Sequence, residues 1–130
     1  EIKKIIPKIS IKGFDISSYA IRKSPKEIKK FLKVHNASEK FPYKNKEFDL
    51  AFSLGCIHNL EIFDLEACIN EITRVSDKQF IMTESYKNEK QLFNLQCWAL
   101  TCESFFSYKE WKWIFKKFGY RGDYELIYFD

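Results

Sequence analysis

Phe48-Asp49-Leu50-Ala51-Phe52-Ser53-Leu54-Gly55-Cys56-Ile57-His58-Asn59-Leu60 reads as one short apolar strand that stops abruptly in a small polar turn. Asp49 lies at its start, and Ser53, Gly55, His58 and Asn59 cluster where it ends. In open α/β sheets, ligands bind just beyond the carboxyl ends of parallel strands, so a strand ending this way is a candidate ligand shelf. Upstream, Gly13-Phe14-Asp15-Ile16-Ser17 shows a related pattern: a strand, a carboxylate, then a residue able to cap a helix. Together the two stretches outline one half of a nucleotide-type cleft. No glycine-rich loop precedes the first of them.

Working outward, the pattern alternates between strand and helix. Residues 1–6 read as the last turns of a helix stopped by Pro7. Residues 9–14 alternate as a strand, and Ser17 or Ser18 opens a helix that breaks at Ser24 before Pro25. A very short strand is expected at 34–37, a polar loop at 38–47 and the decisive strand at 48–54. Leu65, Cys68, Ile69, Ile72 and Val75 place one apolar face on a helix at 64–75, followed by a strand at 78–83. Asn88 caps a helix running toward Cys102, with Gln91 as its capping-box partner. That helix is apolar nearly all round and is expected to be deeply buried or to cover a pocket. Ser107 and Glu110 form a second capping box, Gly119 stops the helix that follows, and residues 124–129 close the chain as a strand. This alternation predicts an α/β fold with a mostly parallel sheet in a single domain.

Composition narrows the classes. The 130 residues suit one domain, and an apolar content of 45% supports a core. No apolar run approaches ~18 residues, so no membrane span is expected, and no secretory pattern opens the chain. Cys56, Cys68, Cys97 and Cys102 lack C-x-x-C spacing and sit in apolar segments, which predicts buried free thiols in a reducing, cytoplasmic setting. With two unpaired histidines, the sequence offers no zinc site and no metal is expected. Residues 1–46 carry 13 Lys and Arg against 4 Asp and Glu, a net +9, and the remainder carries −5. A basic half could meet nucleic acid, but no arginine cluster or basic–aromatic interleaving supports that, and Lys-decorated solvated faces explain it.

Several residues could carry chemistry. Asp15, between a strand and a helix, could accept hydrogen bonds from vicinal ribose hydroxyls or simply cap the helix. Asn36 could bond an adenine edge or be an ordinary turn residue. His58 could be a general base on a substrate hydroxyl or amine, or could orient its turn through a backbone carbonyl, and Asn59 could share that structural work. Glu84, Ser85 and Tyr86 end the next strand and could line a substrate cleft, as could Asn94 and Trp98, although core packing also explains the tryptophan. No G-x-S-x-G elbow and no P-loop is present. Cys56 near His58 is only weak grounds for a cysteine nucleophile.

Gly13 to Ser17, then Asn36-Ala37-Ser38, Phe41-Pro42-Tyr43 and Phe48-Asp49-Leu50 with residues 53–60, resemble in order and spacing the class I S-adenosylmethionine-dependent methyltransferases. Residues 71–75 are similar to the helix before their fifth strand, and residues 84–89, 94–102 and 119–124 to a subgroup acting on small molecules. The resemblance implies a Rossmann-like fold with helices on both faces of the sheet and S-adenosylmethionine as cofactor. It implies that Asp15 holds the ribose and Ile16 packs on the adenine. Asn36, with Ala37 beside it, stands where the family more often has an acidic contact to the adenine amino group. Ser53, Leu54 and Gly55 would lie near the methionine end. His58 would act at the methyl acceptor, with Asn59, Tyr86 and Trp98 binding that small molecule.

One departure stands out. The family's first strand and its glycine-rich loop should precede residue 1, in the middle of the sheet between the strands at 9–14 and 48–54. The sequence therefore predicts an N-terminally truncated domain with weak cofactor affinity. Either the two neighbouring strands close over the gap, or a second copy of the chain fills it. The alternative to an enzyme is a non-catalytic interaction or dimerisation module built on the same fold.

Overall fold

The helix break expected before Pro25 is realised. Ser17 Oγ accepts the Ala20 N–H at 3.1 Å and opens α2 (Ser18–Lys23). Ser24 then turns extended, because the following proline ring disfavours a helical residue before it, and α3 (Lys26–Lys29) restarts behind Pro25. The computed structural model describes residues 2–130; Glu1, expected in the first helix, lies outside the described residues. The chain divides into two compact units, residues 1–37 and 38–130.

In the first unit, α1 (Ile2–Ile5) leads to β1 (Gly13–Asp15), then α2, α3 and β2 (Leu32–Val34). β1 and β2 pair in parallel, from Gly13 with Leu32 to Asp15 with Val34. The strands expected at 9–14 and 34–37 thus contract and shift. A parallel ladder runs only as far as its shorter member, and β2 is confined between the end of α3 and the irregular segment that begins at residue 35. No described residue of this unit is fully buried, and Ile5, Ile16, Tyr19 and Val34 are exposed.

The second unit carries the core. β3 (Ala51–Leu54), α4 (Ile62–Val75), β4 (Gln79–Glu84), α5 (Glu89–Trp98), α6 (Tyr108–Lys117) and β5 (Asp123–Ile127) follow one another, with a 3-10 turn at Ile57–Asn59. β4 is central, and both its neighbours run parallel to it: Leu54 pairs with Met82, and Glu84 with Ile127. The expected α/β fold with parallel strands is present. The strand expected from residue 48 joins the ladder only at Ala51; Phe48 makes an isolated bridge to Ser76. β1 and β2 form a two-stranded sheet of their own, and β3, β4 and β5 a three-stranded one.

Packing follows the helical periods. Leu65, Cys68, Ile69, Ile72 and Val75 form the buried stripe of α4, and Trp111, Ile114 and Phe115 that of α6, with Ile81 of β4 fully buried. The Ser107–Glu110 capping box is complete, and Gly119 takes φ +70 just past α6, a conformation glycine adopts without strain. At the other expected box, Asn88 accepts the Gln91 N–H at 3.0 Å, but Gln91 Oε1 accepts from Lys87 N instead of Asn88 N. Of the two expectations for α5, deep burial is not realised, whereas its Asn94, Cys97 and Trp98 border an open depression. The helix ends at Trp98, and only Gln91 and Leu95 are buried, while Phe93 and Trp98 face outward. The chain leaves the helix at Ala99 because the Glu103 and Ser104 N–H groups, each 3.0 Å from the His58 carbonyl, draw the next loop toward the 3-10 turn.

Arg74 ties the loop at 41–45 to α4. Its guanidinium donates to both Glu71 carboxylate oxygens at 2.7 and 2.6 Å and to the Tyr43 carbonyl, Asn45 Oδ1 and the Phe41 carbonyl. Glu71 Oε2 also accepts the Phe41 N–H at 2.7 Å. The Arg74 hydrogen bonds hold the Glu71 carboxyl below its ordinary range, against a smaller opposing effect of burial.

Candidate functional site

The shelf at the end of β3 is built by backbone geometry. Gly55 donates to the Met82 carbonyl at 2.9 Å and then turns to φ +57, where a side chain would be strained. A Cβ there would lie 3.2 Å from Glu84 Oε1. Glycine therefore both makes the turn and leaves room for the carboxylate. The chain continues into the 3-10 turn, which carries Ile57 and His58 inside. Asn59 closes that turn: its Nδ2 donates to the Cys56 carbonyl at 3.3 Å, and its Oδ1 accepts from Thr101 Oγ1 at 2.8 Å.

Glu84 ends β4 beside this turn, and His58 Nδ1 lies against Glu84 Oε2 with their side chains only 5% and 4% exposed. Each would be costly to bury alone, and together each supplies the other's polar partner. The Glu84 backbone carbonyl is held by Trp111 Nε1 at 3.0 Å. The Trp98 ring lies 6.4 Å from His58 and 4.8 Å from Phe129. Beside it, Asn94, Cys97, Trp98, Tyr128, Phe129 and Asp130 line an open depression.

The other expected residues sort by unit. In residues 1–37, Asp15 Oδ1 accepts the Ser17 N–H at 2.7 Å, so the carboxylate shapes the turn that starts α2 while remaining exposed. The N-cap of α2 is Ser17 and not Asp15, whose carboxylate closes the turn just before the helix. Ile16 is largely exposed at the strand end, an apolar platform beside the carboxylate. Asn36 and Ala37 follow β2, half-buried, where the His35 N–H donates to the Asp15 carbonyl at 3.1 Å. In residues 38–130, half-buried Ser53, exposed Leu54, Gly55, His58 and Asn59 gather at one strand end.

Past β4, Ser85 is buried and structural: its hydroxyl donates to the Phe106 carbonyl at 3.1 Å and its N–H to the Ile127 carbonyl. It does not line a cleft. Tyr86 bridges Ser107, and burial raises its phenol pKa. The cysteines are all free, but only Cys68 is buried, its thiol pushed up to about 12 by desolvation. Cys56 and Cys97 are exposed, contrary to expectation, because one lies in the turn leaving β3 and the other on the outer face of α5. The contact of Glu84 with His58 was not legible in sequence. Its signal is a pair of ionisable residues at the ends of what become adjacent parallel strands.

Within residues 1–37, exposed Asp15 and Ile16 lie together at the end of β1. Within residues 38–130, Gly55 leaves a space beside Glu84 that a Cβ would fill. Residues 3–79, more than half of the chain, match the model of the methyltransferase-domain family. The chain belongs to the class I S-adenosylmethionine-dependent methyltransferases. Neither a search of curated proteins nor one of solved structures gives a significant match. In open α/β sheets, ligands collect at the carboxyl ends of parallel strands. No helix among the described residues is long and apolar enough to cross a membrane.

Proposed function

We propose that this methyltransferase uses S-adenosylmethionine to methylate a hydroxyl or amine of a small-molecule acceptor, in the cytoplasm. The observation that carries the reading is the placement of Asp15-Ile16 and of residues 53–58 at carboxyl ends of parallel strands in a chain of this family. S-adenosylmethionine supplies an activated methyl group on a sulfonium, so the protein's contribution is mostly positioning. Asp15 takes the ribose hydroxyls, Ile16 covers the adenine, and Asn36 with Ala37 borders the base. Ser53, Leu54 and Gly55 receive the methionine end. His58 accepts the proton released by the acceptor, while Asn59, Tyr86 and Trp98 hold that molecule in place.

Calorimetric titration with S-adenosylhomocysteine tests this. Saturable binding at one site, weakened tenfold or more in Asp15→Ala, is expected; a lost pair of hydrogen bonds to a charged group is worth about 1.5–3 kcal/mol. No heat from either protein overturns the reading.

A second reading rests on a separate observation. Leu50, just before β3, and Phe52 and Leu54 within it are exposed, and the outer edge of β3 has no ladder partner among the described residues. Such an edge suits a non-catalytic pairing module, including a homo-oligomer that adds a strand there. Concentration-dependent dimerisation in light scattering, abolished by Phe52→Lys and accompanied by no cofactor binding, would favour it.

A further inference from the structure

A histidine can accept a proton only at a nitrogen that does not already carry one. Which nitrogen that is depends on the partner of the other. His58 Nδ1 lies against the Glu84 carboxylate in a nearly closed environment. Both atoms are enclosed and neither meets another polar partner; beside a carboxylate, which only accepts, Nδ1 is satisfied when it carries the proton. Nε2 makes no hydrogen bond among the described residues, and it is not one of the fully enclosed unpartnered side-chain atoms.

Glu84 is itself fixed. Its backbone carbonyl is held by Trp111 Nε1, and its Oε1 borders the space left by Gly55. Trp111 is fully buried, so this anchor does not move with the surface loops. The His58 carbonyl accepts two further N–H groups from Glu103 and Ser104, which fixes the backbone from the other side. Ring orientation and tautomer are therefore determined by residues from three separate segments.

We propose that Glu84 is a positioning residue that holds His58 in its Nδ1–H tautomer, leaving Nε2 as the proton-accepting atom. The proposal rests on the base role given to His58 above. As the acceptor's oxygen or nitrogen bonds to the methyl carbon, the carbon–sulfur bond breaks with its electron pair staying on sulfur, and the acceptor's proton passes to Nε2. The imidazolium that results faces the Glu84 carboxylate, which offsets its charge without taking its proton. An acceptor with no proton to lose would gain nothing from this pair.

Two measurements on the full chain decide it, and neither needs an acceptor. In long-range proton–nitrogen NMR spectra, His58 is expected to show a protonated Nδ1 and an acceptor-type Nε2. Glu84→Gln, whose amide can donate to Nδ1, should invert that ratio. A wild-type Nε2–H tautomer, or a ratio unchanged by Glu84→Gln, overturns the proposal. Should Glu84→Gln fail to fold, Glu84→Asp carries the same test, because the shorter acid withdraws from Nδ1. The second measurement is carbethoxylation by diethyl pyrocarbonate, mapped by peptide mass spectrometry. Modification of native His58 at Nε2 supports access for a proton-bearing reactant, whereas a His58 inert until unfolding reduces the pair to a structural tie and overturns the proposal. Failure of S-adenosylhomocysteine to bind, with both signatures present, would instead fault only the cofactor reading.

Discussion

Replacing Arg74 with leucine should remove the strongest polar tie in residues 38–130. The guanidinium makes two charge-assisted bonds to Glu71, at 2.7 and 2.6 Å, and bonds to the Tyr43 carbonyl and Asn45 Oδ1 at 2.9 Å each. A fifth, weaker bond reaches the Phe41 carbonyl at 3.2 Å. The Arg74 and Glu71 side chains are 20% and 16% exposed, so solvent screens the pair only in part. Hydrogen bonds to charged groups contribute about 1.5–3 kcal/mol each, and five sharing one side chain are far from additive. Leucine keeps the apolar stem on α4, and water can reach the freed carbonyls. A loss of about 3 kcal/mol is therefore expected, or a melting temperature lower by roughly 12–24 °C for a unit of this size. Tryptophan emission is a suitable probe, because Trp111 is fully buried whereas Trp98 and Trp113 are more than half exposed. A double-mutant cycle with Glu71→Gln should return a coupling of about 1–2 kcal/mol. A change below about 0.5 kcal/mol for Arg74→Leu would refute the reasoning and class the cluster with ordinary surface ion pairs.

Three further outcomes are expected. Because Arg74 depresses the Glu71 pKa, its contribution to stability is full above the unfolded carboxyl value of about 4.3 and is lost as pH falls through the lower folded value; Arg74→Leu should flatten that acid limb in pH-dependent melts. Native-state alkylation at pH 8 should label Cys56 and Cys97 first and Cys102 more slowly, with Cys68 reacting only on unfolding, since burial keeps it a thiol; rapid labelling of Cys68 would contradict its place in the core. Gly122→Ala should destabilise by about 1–3 kcal/mol in urea melts, because its Cβ would lie 2.6 Å from the Gln79 carbonyl and 2.5 Å from the Tyr120 hydroxyl; a neutral result would mean that β4 and β5 yield there.

The elements legible in the sequence were those whose signal is local. Asn88, Ser107 and Gly119 bound helices by hydrogen bonds and dihedral preferences that act within a few residues, and each does so in the structure. The stripe on α4 is likewise a property of its own period. What failed depends on partners elsewhere. Apolar residues around α5 suggested burial, but burial needs a surface to cover, and Phe93 and Trp98 meet too little of one. Residues 9–12 alternate like a strand, yet the short β2 leaves them without a ladder. Cys56 looked like a core thiol only because its neighbours in sequence are apolar.

The site shows the same division more sharply. Gly55 and His58 stood out in sequence as a strand-end turn, and Glu84 as the end of a different strand. Their relation is a fact of register: Leu54 pairs with Met82, which brings the two strand ends level and sets the carboxylate beside the turn. Once they are level, each residue's identity constrains the others. A side chain at Gly55 would press on Glu84 Oε1, loss of Glu84 would leave a buried imidazole without its Nδ1 partner, and loss of His58 would strand a carboxylate only 4% exposed. A buried ionisable group without its partner is costly, so the three tolerate change jointly far better than singly. The proposed proton-accepting role of His58 requires that interdependence, because a proton acceptor is useful only when its ring cannot turn and its tautomer cannot drift.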